Sequence, residues 1–194
     1  MDRMRGIIRS GTSGRSTFVS CRMGSLLFAS VVAGHLCSGQ DGTLVLFGTL
    51  KDNDDHEAIE NAMVSVEDTL TKARSVAMTD GAGRYEVELE LDHVFRVDFS
   101  GGAHVSKHVL IDLNGCKPKH RTGGFTMNIE MLLFEQMEDM DYSPCSHPIG
   151  IARFAKGKEV VWDLGQSDDR RRAIQHMMEQ HDAKVRALKA AGTR

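Results

Sequence analysis

The sequence predicts an all-β fold: a seven-stranded antiparallel sandwich, followed by a β-hairpin and one amphipathic α-helix. Three observations lead there. Apolar and polar residues alternate with a period of two in seven short runs between residues 43 and 134. Turn-forming clusters separate those runs at spacings near ten residues, as in antiparallel sandwiches. No stretch of 43–134 repeats every 3.6 residues, whereas the C-terminal segment does.

The first strand places Leu44, Leu46, Gly48 and Leu50 on one face, and the second places Ala62, Val64 and Val66. Val76 and Met78 mark a weaker third strand. In the fourth, Tyr85, Val87, Leu89 and Leu91 alternate with Glu86, Glu88 and Glu90, which predicts one buried and one acidic, solvated face. Phe95, Val97 and Phe99 alternate with Arg96 and Asp98 in the fifth. Residues 107–113 form the sixth. Phe125, Met127, Ile129, Met131 and Leu133 give the longest alternation and the seventh. Between them lie the acidic turn Asp52-Asn53-Asp54-Asp55, the tight turn Asp80-Gly81-Ala82-Gly83, and the breakers Gly101-Gly102 and Asn114-Gly115.

Residues 136–148 read as a connector. Residues 149–154 and 159–164 flank Ala155-Lys156-Gly157-Lys158 as a hairpin. Ser167 then caps a helix, with Asp168 and Asp169 placed favourably for its dipole. Ile174, Met177, Met178, His181, Val185 and Leu188 share one stripe of that helix. The stripe packs either on the protein's own body or against a partner, in which case Ile174, Met178 and Val185 are its contact residues. Trp162 alternates with Val160 and Leu164. It either packs the hairpin onto the sandwich or, with Tyr142, offers an aromatic surface for a partner or a sugar.

The N-terminus differs from the rest in charge. Residues 1–39 carry five arginines against Asp2, a net of +4, which leaves −7 on the remainder of a chain whose total is −3. Residues 26–34 (LLFASVVAG) are continuously apolar or small, and Cys37-Ser38-Gly39 places small residues before Gln40. That order predicts a signal peptide over 1–39 and export to the periplasm or cell surface; the apolar run is too short to span a bilayer. Gly34-His35-Leu36 fits poorly with lipidation of Cys37. After cleavage two cysteines remain, Cys116 and Cys145. In an oxidising compartment they either pair as a disulfide or stay as two partly buried thiols.

Several pieces of 40–135 carry a family pattern. They are Gly48-Thr49-Leu50, the run Ala58-Ile59-Glu60-Asn61-Ala62-Met63-Val64-Ser65-Val66, the turn Thr79-Asp80-Gly81-Ala82-Gly83-Arg84-Tyr85, and Phe95-Arg96-Val97-Asp98-Phe99. Together they resemble the carboxypeptidase regulatory-like domain, a transthyretin-like (Ig-like) β-sandwich common in exported bacterial proteins; the tail over 149–164 resembles the extension of short Bacteroidota-type members. Ala58 stands where that pattern has a proline, and Gly101-Gly102-Ala103-His104 replaces a lysine-glycine-tyrosine turn. The resemblance implies a binding, spacing or assembly module.

The residues themselves support no chemistry. The pair His176 and Glu179 lies in the C-terminal helix with too little chain beyond it for a zinc-peptidase site. His56-Glu57 lacks a zincin's second histidine, and His104 and His108 lie about 13 Å apart on an extended chain. Asp52 to Asp55 lacks the spaced ligands of a calcium loop. There is no nucleophile elbow, phosphate loop or dinucleotide fingerprint. The local basic run Arg170-Arg171-Arg172 is offset by Asp168, Asp169 and the acidic body, which argues against nucleic acid. The expectation is therefore a chain with no catalytic, metal or cofactor residues. It binds protein or scaffolds the cell envelope, through an envelope protein or through self-association of the C-terminal helix. A carbohydrate- or peptide-binding accessory domain is the alternative.

Overall fold

A computed structural model describes residues 42–163 and 168–192, all within the unit Cys37–Arg194. The predicted signal peptide lies outside the described residues.

Among the described residues, ten strands build two sheets. The first contains β1 (Thr43–Asp52), β4 (Arg84–Glu90), β7 (Phe125–Asn128) and β8 (Met131–Leu133); β1 is central, with β4 on one side and β7 and β8 on the other. The second contains β2 (Met63–Asp68), β3 (Arg74–Met78), β5 (Val94–Ser100), β6 (Lys107–Asp112), β9 (Gly150–Ala155) and β10 (Glu159–Trp162), in the order β10-β9-β6-β5-β2-β3. An α-helix, α1 (Asp168–Ala190), follows.

The alternation read from the sequence is the packing itself. Leu44, Leu46 and Leu50 of β1 and Leu89 of β4 point inward from one sheet; Val64, Val97, Phe99, Val109 and Ile111 point inward from the other. Tyr85 meets Phe99 edge-on across the interface, with ring centroids 5.6 Å apart. Burying such side chains stabilises by roughly 1.5–3 kcal/mol each relative to leaving them exposed.

Two features refine the expected antiparallel ladder. The long seventh run divides at Ile129 and Glu130 into β7 and β8, and both run parallel to β1. At the division the carbonyl of Ile129 accepts the Tyr85 hydroxyl proton at 2.9 Å, and the Ile129 N–H donates to Phe47 O. Gly48 permits this: a Cβ there would lie 1.9 Å from the Ile129 oxygen. The predicted hairpin also does not stand apart, because β9 pairs parallel with β6 and extends the second sheet. Gly150 faces Trp162 at that corner, where a Cβ would lie 2.6 Å from the indole ring.

The Asp80 turn forms as read. Asp80 accepts the N–H groups of Ala82 and Arg84, and Gly83 takes φ +71. The Arg84 N–H, above all, holds the Asp80 carboxyl below the usual carboxylate range.

A candidate binding surface on the open flank

The two sheets end on the same flank, with β3 at the edge of one and β4 at the edge of the other. The edges differ chemically. On β4 the outward residues Glu86, Glu88 and Glu90 are all exposed, and a row of charges of this kind discourages strand pairing. On β3 the outward residues are Arg74, Val76 and Met78. Arg74 is already engaged by Glu67, leaving Val76 57% and Met78 53% exposed beside Met63.

The inward side of β3 is equally distinctive. Ser75 and Ala77 face the interior, opposite Val66 and Val64. Beside these small side chains lie two grooves of about 470 Å³ each. One is lined by Ala77, Met78, Tyr85 and Glu86, the other by Ser75, Phe95, Glu88 and Glu90.

The hairpin bearing β3 is pinned at its turn. Asp68 accepts the N–H groups of Leu70 and Thr71, and its second oxygen lies 2.5 Å from His93 Nδ1. The Thr71 N–H is the largest of the influences that hold this carboxyl down at about 2.

A second, smaller apolar cluster lies where α1 docks. Phe134, Cys145 and Met177 form it, with Val105 and Tyr142 against it. His181 is fully buried there, its ring 4.8 Å from that of Phe134. Its Nδ1 lies 3.8 Å from Asp54 and 3.7 Å from Asp182, beyond hydrogen-bonding distance. Lys107 occupies the inward row of β6, opposite Phe99, and donates to the Leu132 carbonyl with its ammonium 3.6 Å from the Phe134 ring centroid. Burial pushes this lysine down to about 8, against the pull of Cys145. Close by, His104 Nε2 lies 2.9 Å from Asp52 and its Nδ1 2.8 Å from the Gly101 carbonyl. Burial pushes the Asp52 carboxyl up, but the Asp54 N–H and the His104 ring outweigh it and leave it lowered.

The residues singled out from sequence are thus distributed. Val185 is buried and Ile174 half-buried in the docked face of α1, while Met178 is 39% exposed. Tyr142 is held internally: its hydroxyl accepts the Met137 N–H and donates to the Glu135 carbonyl. Trp162 is 38% exposed, with its ring against Gly150. Cys116 lies in the main core and Cys145 in the smaller cluster; both are free thiols, so the bridge considered from sequence is not formed. Burial pushes both thiols up. Among the described residues no three His, Cys, Asp or Glu side chains gather as a metal site. No helix among them is long and apolar enough to cross a membrane.

Sequence reasoning missed the β3 edge and Lys107. The lysine was visible in register with Val109 and Ile111, whereas a strand with small residues on its inward side gives no sign of its place at a sheet edge.

No family model matches the chain, and no curated protein does. Solved structures do. Catechol 1,2-dioxygenase from Acinetobacter sp. ADP1 is 14% identical, with 53% of this chain covering 55% of that one at a TM-score of 0.37. The Bacillus anthracis TIE protein is 12% identical, over 48% of this chain and 17% of that one, at 0.38. The group B streptococcus pilus 2b backbone protein is 9% identical, over 50% and 42%, at 0.34. The chain spans 55–60% of the length of the Acinetobacter enzyme, a 3-chlorocatechol and a hydroxyquinol 1,2-dioxygenase. These neighbours correct the expectation that the chain is not an enzyme. Several of them are dioxygenases, and a fold by itself excludes no activity. At such identities and TM-scores the likeness assigns this chain neither an activity nor a partner.

Proposed function

We propose that this chain is an exported, transthyretin-like β-sandwich module for protein binding or envelope scaffolding, and that it engages its partner along the β3 edge. The observation that carries this reading is the unguarded edge. Among the described residues β3 pairs only with β2, and its outward face presents Val76 and Met78 where β4's presents Glu86, Glu88 and Glu90. A free edge offers unpaired backbone groups as a template for an extended segment, and the side chains beside it set the selectivity. The export half of the reading rests on the basic leader and its apolar run.

The C-terminal helix is a weaker candidate surface, because Met177, His181 and Val185 are already spent on internal packing. The test is site-specific photo-crosslinking in the native host. A photoreactive residue at Val76 is expected to give a discrete adduct, and one at Met178 is not. An adduct at 178 alone would transfer the function to the helix. Absence of an adduct at both positions would remove the reading.

A further inference from the structure

The flank also specifies what kind of strand fits it. We infer that the β3 edge accepts an extended segment in which lysine or arginine alternates with β-branched or other apolar residues. This rests on the edge reading above and adds the partner's chemistry to it.

Two surfaces would receive the added strand. The first is the outer face, where Val76 and Met78 are more than half exposed and flank the position of an incoming strand. Apolar side chains at alternate positions would cover them, as cross-strand pairs do within a sheet. The second is the groove between the sheets, which receives the intervening side chains. On the β3 side Ala77 and Ser75 are small, with Met78 and Arg74 beside them, and the far rim is acidic. A long aliphatic stem ending in a cation satisfies both, with the stem lying over Ser75 and Ala77 and the charge reaching the rim.

The charge balance of the rim supports this. The two arginines lining the grooves are already engaged, Arg84 with Asp80 and Arg74 with Glu67, and His93 Nδ1 is taken up by Asp68. By contrast, Glu86, Glu88 and Glu90 make no ion pair among the described residues. They repeat every second residue, about 6.8 Å apart along the strand, which is also the repeat of alternate side chains on an added strand. An uncompensated acidic row with that period matches a basic row with the same period.

The experiment uses the purified full chain and capped synthetic peptides of about nine residues, with binding followed by calorimetry at low and moderate salt. A peptide alternating lysine with valine and threonine is expected to bind, and to bind more weakly as salt rises. The triple variant Glu86→Lys/Glu88→Lys/Glu90→Lys, altered only at exposed positions, should weaken it at least about tenfold, and a peptide alternating glutamate should then bind better than the lysine one. N-methylation of alternate peptide nitrogens should abolish binding, because an added strand needs its backbone donors. Equal binding of the N-methylated peptide would reduce the effect to charge adsorption and overturn the inference. Equal binding of a neutral valine–threonine peptide would also overturn it, while leaving the edge reading in place. No binding by any peptide would sink both.

Discussion

At the scale of single residues, the fold depends on a few positions where only one side chain fits. Gly48 is the clearest. The Ile129 carbonyl comes so close that a Cβ would lie 1.9 Å from its oxygen, and Tyr85 donates to the same carbonyl from the neighbouring strand. Gly48→Ala should therefore destabilise by about 1–3 kcal/mol or more through overpacking. Tyr85→Phe should cost about 1–3 kcal/mol by leaving the buried carbonyl without that donor. Urea unfolding of the two variants checks both; an unchanged midpoint in either would show that the close approach is not made in solution. Lys107 gives a pH signature. Its folded value, about 8, lies below the ordinary 10.5, so the unfolded chain holds its proton more tightly. Stability should rise as pH climbs from 8 towards 10.5, and the rise should flatten in Lys107→Met.

At the scale of elements, period-two alternation made most of the strands legible, because each has one buried and one wet face. What it could not give was pairing. The seventh run alternates without a break from Phe125 to Leu133, yet it divides where Ile129 bends to meet Gly48 and Tyr85. The hairpin over 149–164 was legible as a hairpin, but its parallel join to β6 depends on a contact between distant parts of the chain. Helix α1 was legible as a stripe. Its docking surface was not, because Phe134, Cys145 and Tyr142 come from segments without periodicity. If α1 seals that cluster, Val185→Asp should loosen it and speed labelling of Cys145 by a thiol reagent, leaving Cys116 in the main core protected. Equal labelling of both thiols, or of neither, would contradict this. The parent protein should show no mass difference of two hydrogens before and after reduction.

At the scale of the whole molecule, the sandwich treats the two sheet edges of this flank differently. β4 carries three glutamates on its outer face; β3 carries Val76 and Met78 there and only small residues on its inner face. The acidic row was legible from alternation. The open edge was not, because a weak strand with small inward residues looks like poor patterning until its place at the end of a sheet is known. The proposed binding function follows from that place. The most direct test is residue-resolved amide hydrogen exchange on the isolated protein. In Arg74–Met78, alternate amides should be protected by β2 while those between them exchange nearly as fast as in an unstructured chain, with β2 and β5 protected throughout. Uniform protection along β3 would mean that its edge is already covered, and would contradict the account.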